Sequence, residues 1–372
     1  MVPILNPMIA HFRLSFKPSR YFFRQGCYLS KIRSEQMKKS ILTLLLTATT
    51  SGVIVGTADA CTYATFEAND KSFVARTMEL PFEAHEMLTV VPRGHEFAEF
   101  TAKYGFVGMQ HGQEDMVSSG INEHGVSVEV LALGAADYLP AGKGDISQIA
   151  LGAYILGNAR STDEAVTILH NLKVHLGKMA GVGAIGVHLA INDGERKVVV
   201  EHTQGDGIAE IYENDLGVMT NDPVYPVQVE LAQMMLDGKG YDDAKVQFAE
   251  ETFKGFDRSP TGRFQQMVAL NATQDSTRIV TDFDAVNRAW SMINSVDVVQ
   301  GTLYWRHFDP ENPQMTGYSN VTDINNKDYY FRTYDNQQIR KVDIDTIDFA
   351  NTTYKQFDIF RTIDGYQVID IN

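Results

Sequence analysis

The segment after residue 60 predicts a layered α+β domain in which antiparallel sheets are covered by helices. Strand-like and helix-like blocks alternate along it in the order β, α, β, α, β. No repeat, linker or low-complexity stretch interrupts residues 61–372, so one domain is the simpler organisation. A chain of 372 residues, 44% of them hydrophobic, is long enough to bury the large core that such layering needs.

Cys61–Glu67 and Ser72–Glu79 read as strands joined by Asn69-Asp70-Lys71, good hairpin chemistry, and Met87–Pro92 reads as a third strand. Gly120–Leu133 turns at Glu123-His124-Gly125 and runs into an apolar strand. Ile146–Asn158, apolar and rich in small residues, predicts a helix; the next opens at Ser161 with Glu164 three residues on, a capping box. Gly186–Asn192 and Lys197–His202 form a hairpin across Asp193-Gly194-Glu195, and Ile208–Tyr212 and Leu216–Thr220 extend the sheet. Helical signals return at Val227–Leu236, Gly262–Leu270 and Phe283–Ile293. The tail is β again over Thr302–His307, Tyr318–Thr322, Tyr329–Tyr334 and Ile339–Ile344, with turns at Asn325-Asn326 and Asp335-Asn336.

Charge is unevenly spread. Residues 1–60 hold 8 Lys/Arg and 2 Asp/Glu of the chain's 32 and 47, which leaves residues 61–372 with 24 and 45, a formal charge of −21. A surface this acidic repels phosphate backbones and anionic headgroups, which argues against nucleic acid or a membrane as partner of the processed chain.

Residues 37–60 read as a secretory signal: Met37-Lys38-Lys39 is the positive region, Ile41 to Val55 the apolar stretch, and Ala58-Asp59-Ala60 the small-residue cleavage site. Residues 1–36 read as an upstream extension ahead of the true initiator Met37, with a genuine extended leader as the alternative. The destination is then the periplasm or the medium.

Of the two cysteines, Cys27 and Cys61, only Cys61 survives cleavage after Ala60, and it becomes the first residue. A lone Cys is commonly a small buried hydrophobe; its position says otherwise here. A first-position Cys carries a nucleophile and a base in one residue, because its free α-amine has an ordinary pKa of about 7.7–8.0 and accepts the thiol proton. The site still needs a cation to favour thiolate, an acceptor to orient the amine and donors for the tetrahedral oxyanion. Arg76 lies on the strand paired with the one that starts at Cys61, and Glu79 follows three residues later. A Cys straight after a signal also fits a lipoprotein acylated at the thiol, although that pattern wants an apolar residue such as Leu three positions before the Cys, where Ala58 stands with acidic Asp59 after it.

Cys61-Thr62 followed by Ala75-Arg76-Thr77-Met78-Glu79 resembles the opening of the choloylglycine hydrolase family, which includes bile salt hydrolases and penicillin V acylases. The likeness continues in order through Gly120-Ile121-Asn122-Glu123-His124-Gly125, Leu216-Gly217-Val218-Met219-Thr220-Asn221 with Pro223, Ser259-Pro260-Thr261-Gly262-Arg263-Phe264 and Val299-Gln300-Gly301-Thr302. The resemblance implies an N-terminal-nucleophile hydrolase fold, a four-layer αββα sandwich of two antiparallel sheets, and hydrolysis of a linear, non-peptide C–N amide bond in a small N-acyl substrate. It implies that Cys61 is nucleophile and base, that Arg76 and Arg263 are the cations around it, and that Asn221 gives its side-chain NH2 to the oxyanion. The second donor is the backbone N–H at the end of the 126–132 strand, placed at Ala132. Relatives of this kind commonly form homotetramers.

Two positions depart from the family pattern. Glu79 stands where Asp is usual, and Ala132 where Asn or Tyr is usual. The second departure keeps the backbone donor and loses a side-chain contact with substrate, so penicillin V, conjugated bile salts and acyl homoserine lactones all remain candidates; the sequence leans to penicillin V or the lactones. The 237–262 segment also looks shorter than in bile salt hydrolases.

No cofactor is called for. Gly181-Val182-Gly183-Ala184-Ile185-Gly186 matches a dinucleotide fingerprint by letters, but it precedes a strand instead of opening a helix. The ten His residues show no metal spacing, and His85, His95, His111 and His124 are scattered over loops; a Cys61–His dyad is the alternative source of a base. Tyr104, Phe106, Tyr138, Tyr225 and Trp305 are candidates for an acyl pocket or for core.

Overall fold

The computed structural model describes residues 61–80, 86–112, 115–178, 185–236, 255–305 and 309–360. The proposed leader, His85 and most of the Gly181–Gly186 motif lie outside them, as does the Trp305 side chain. Two antiparallel sheets face each other. The first contains β1 (Thr62–Ala68), β2 (Lys71–Leu80), β12 (Val218–Met219), β13 (Leu303–Trp305), β14 (Asp309–Asp323), β15 (Asp328–Thr333) and β16 (Arg340–Asp343). Their order is β12-β1-β2-β14-β15-β16, with β13 beside β14. The second sheet contains β3 (Glu86–Val91), β4 (Phe106–His111), β5 (Val117–Asn122), β6 (Ser127–Ala132), β9 (Val187–Asn192), β10 (Lys197–Glu201), β11 (Glu210–Glu213) and β17 (Lys355–Asp358). It runs β11-β10-β9-β6-β5-β4-β3-β17.

Helices close both outer faces. α1 (Leu151–Asn158) and α2 (Thr162–His170) lie on the second sheet; α4 (Pro260–Ala272) and α5 (Asp282–Asn294) lie on the first, and α3 (Tyr225–Leu236) packs on α4. The result is the αββα sandwich expected. Its layering follows from strand alternation: Val128 and Val130 of β6 pack outward with Leu151, Ile155 and Leu156 of α1, whereas Leu131 packs inward among residues of the first sheet.

Local chemistry sets the element ends. Asn69 and Asp70 both take positive φ, 54° and 57°, as the two-residue turn between β1 and β2 requires. Ser161 and Thr281 cap α2 and α5, and Thr281 with Asp284 forms a full capping box.

The structure corrects several sequence readings. The helix expected from Ile146 begins only at Leu151. Ile146-Ser147 instead forms the short strand β7, parallel to β8 (Val174–His175). The Ser147 amide and hydroxyl both donate to the Glu99 carboxylate, which holds this segment extended beside β8. β14 is far longer than Tyr318–Thr322, and β4 and β17 had no clear strand signal. Phe106 and Tyr138 are core: Phe106 is buried, and Tyr138 donates to the Val187 carbonyl. Tyr225 is buried in the other cluster, and Tyr104 makes an edge contact with His124.

Candidate active site

Antiparallel register brings the predicted residues together. β1 pairs Tyr63 with Arg76 and with Met219. Continued to the head of β1, the same registers place Cys61 between Met78 on one side and Asn221 on the other. Cys61 is buried, with Sγ 3.6 Å from Met78 Sδ.

The two arginines reach this point from opposite faces of the first sheet. Arg76 lies between the sheets and is fully buried. One Nη donates to Tyr318 Oη; the other donates to Val130 O at 3.0 Å and lies 3.1 Å from Met78 Sδ. Its Nε lies 3.7 Å from Glu129 Oε2, an ion pair without a hydrogen bond. Burial opposes the charge on Arg76, but Tyr318, Cys61 and Glu129 outweigh it and tighten the hold on the proton. Arg263 arrives from the helix side. It donates to Cys61 O and Thr62 Oγ1, each at 2.6 Å, and to Asn221 Oδ1 at 3.2 Å.

The Ser259–Phe264 motif explains this delivery. Ser259 caps α4 by accepting from Gly262 N at 3.0 Å, and Pro260 sits at the first helical positions, where a missing N–H costs nothing. A Cβ on Gly262 would meet Asp257 O at 2.3 Å, so only glycine fits before Arg263.

Asn221 follows β12 and is fully buried. Its Nδ2 donates to Ala132 O at 2.9 Å, and Arg263 holds its Oδ1, which fixes the amide orientation and leaves the second Nδ2 hydrogen available. Leu133 N donates to Gly186 O, so by ladder alternation both main-chain groups of Ala132 face away from β9, towards Asn221. The Asn221 amide and the Ala132 main chain therefore lie side by side. Two residues without a sequence signal hold them in place. Asp222 accepts from Gly134 N at 2.7 Å and Ala135 N at 3.0 Å, and Gln228 of α3 donates to the carbonyls of Asn221 and Asp222, each at 3.2 Å.

Glu79 stands one step beyond Met78, at the end of β2 that faces the amino side of Cys61, and on the helix side of the sheet with Thr316. Thr316 Oγ1 donates to its Oε1 at 2.9 Å, while Oε2 has no hydrogen-bond partner among the described residues. Burial pushes this carboxyl up to about 7, against the pull of Arg263 and Thr316. The Asn122-Glu123-His124-Gly125 motif is structural. Asn122 donates to Leu156 O and Ala159 O and accepts from the amides of His124 and Val126. Among the other named histidines, His111 pairs with Glu86, and His95 stacks on Tyr354. The described residues contain no group of three His, Cys, Asp or Glu placed to share a metal ion.

Two facing antiparallel sheets between helical layers, with a cysteine heading a central strand, make this an N-terminal-nucleophile hydrolase fold. Solved structures of that fold superpose on it. The conjugated bile acid hydrolase of Clostridium perfringens does so with a TM-score of 0.69 at 19% identity, covering 84% of this chain and all of that one. The penicillin V acylase of Agrobacterium tumefaciens gives 0.62 at 23%, covering 80% and 91%. In sequence, bile salt hydrolase/transferases from Lactiplantibacillus plantarum and Bifidobacterium longum are 24% and 25% identical over 306 and 312 residues. These alignments cover 76% and 75% of this chain and 92% and 94% of the relatives. The model of the linear amide C–N hydrolases, choloylglycine hydrolase family, matches residues 61–357. The chain belongs to that family.

Proposed function

We propose that this protein is an exported acylase whose nucleophile is Cys61, freed as the first residue by cleavage after Ala60. The observation that carries the reading is the convergence at Cys61 of Arg76 from between the sheets, Arg263 from the helix side and Asn221 from the neighbouring strand. That the family match begins at residue 61 supports it further. The α-amine takes the thiol proton, and the thiolate attacks the carbonyl of an N-acyl amide. The oxyanion receives the second Asn221 Nδ2 hydrogen and the Ala132 N–H. The ammonium returns its proton to the leaving amine, and water hydrolyses the thioester. Glu79 orients the amine through its unpartnered oxygen.

The proposed substrates are penicillin V or acyl homoserine lactones, since Ala132 offers no polar side chain to an acyl group. Conjugated bile salts are the second reading, favoured by the bile salt hydrolase/transferase relatives. Export to the periplasm or medium and homotetramer assembly belong to the same proposal; fractionation and light scattering check them.

Intact mass of the purified protein tests the core claim. A free Cys61 terminus, loss of released amine in Cys61→Ala and slow turnover by Cys61→Ser support it. Activity with residues retained before position 61, or a diacylglyceryl mass, would overturn it. Released-amine assays on the three substrate classes separate the substrate readings.

A further inference from the structure

We propose that Glu129 is a positioning residue that sets how much of the Arg76 charge reaches the Cys61 thiol. The inference rests on Cys61 being the nucleophile. Glu129 is fully buried on β6, three residues before the Ala132 donor. Its Oε1 is fixed by Ser119 Oγ at 2.9 Å and Asn320 Nδ2 at 3.0 Å, while Oε2 faces Arg76 Nε at 3.7 Å without a hydrogen bond. The carboxylate is thus held from both sheets by neutral donors, independently of Arg76. It acts on the guanidinium by charge at short range.

Arg76 in turn acts on the reacting sulfur across Met78. Its Nη2 lies 3.1 Å from Met78 Sδ, which is 3.6 Å from Cys61 Sγ. With Cys61 ionised, two anions share one buried cation. In a low-dielectric seam such charges compete strongly, because water does not screen them. The other groups facing Glu129 are Tyr63 of β1, Tyr318 of β14 and Tyr329 of β15; all three phenols are held well above their ordinary value by burial and stay neutral. Those facing Cys61 are Arg76 and Arg263, with Glu79 beyond. Glu129 is therefore the one carboxylate among them that draws on Arg76. Burial raises its own carboxyl to about 7, so its charge changes in the range where a thiol is tuned.

Neutralising Glu129 leaves the Arg76 field to the thiol. The test follows iodoacetamide alkylation of Cys61 against pH, read by peptide mass spectrometry on protein expressed from the full chain. Glu129→Gln keeps an acceptor for Ser119 and Asn320, and its alkylation midpoint should fall by about one pH unit, a gain of about tenfold in rate on the acidic limb. Ser119→Ala removes one donor that favours ionised Glu129 and should shift the midpoint the same way by less. Glu129→Asp retains the charge and should return the midpoint to that of the wild type. A midpoint unmoved or raised in both Glu129→Gln and Ser119→Ala overturns the proposal; if Glu129→Gln does not fold, Ser119→Ala decides alone. Hydrolysis that survives complete Cys61 alkylation would refute the nucleophile reading instead, without touching the alkylation midpoint.

Discussion

The two faces of the second sheet are cut from the same strands and differ in kind. Outward, Val128, Val130, Leu189, Ile191, Val198 and Val200 meet α1 and α2 in a dry layer. Inward, the alternate positions carry Glu129, His188 and Glu201 beside Leu131 and Val199, all buried against the first sheet. Burying such groups costs free energy unless each is hydrogen-bonded or paired. The inner face offsets part of that cost with the His188–Glu201 pair and with bonds across the gap, such as Ser118 and Ser119 with Tyr318 and Tyr329, and Asn320 with Glu129. Stability is thus concentrated on one face of a strand and chemistry on the other, at a period of two residues.

Substitutions on each face should break or sharpen that contrast. The largest effect is expected at Asn221: Asn221→Ala should lower kcat of the folded enzyme by roughly 10²–10³, since oxyanion donors act mainly in the transition state, and the buried bonds it breaks should cost about 1–3 kcal/mol of stability besides. Leu156→Ala, in the dry layer, should do the reverse, costing about 2–5 kcal/mol in denaturant unfolding with kcat preserved in the folded fraction.

Glu79→Gln probes a buried carboxyl on the helix side of the first sheet by pH. Its carboxyl is raised to about 7 from an ordinary 4.5, so the protonated form favours the fold. Its contribution is present below pH 4.5 and is lost as pH rises through about 7. The variant should therefore match the wild type near pH 4 and gain stability over it near pH 8, by at most on the order of 3 kcal/mol. A higher wild-type Tm at pH 8 would contradict this. Smallest is Arg160→Ala, which removes an exposed pair with Glu164 and should change unfolding by under about 0.5 kcal/mol.

Sequence pattern reached the outer face more easily than the inner one. Apolar alternation and caps located β6, β9, β10, α2 and α5. The resemblance, and not periodicity, pointed to Arg263 and Asn221, because residues 202 and 160 positions from Cys61 meet it only through tertiary register. β4 was missed because Phe106–His111 is buried at every position and includes a glycine, which erases alternation. β7 was read as helix because its deciding partner, Glu99, is 48 residues away. Gln228 and Asp222 left no signal, since each acts on backbone groups brought near by folding. Glu129 was passed over in a strand read as apolar, because its meaning depends on Arg76 across the gap.

Asp222 and Asn221 grip the chain on both sides of Leu133, one through the Gly134 and Ala135 amides and the other through the Ala132 carbonyl. The link joins an edge of one sheet to the middle of the other, beside Cys61. Thermal loosening at that end of the sandwich would carry Asn221 and Ala132 as a single body, and the gap between them would stay the same.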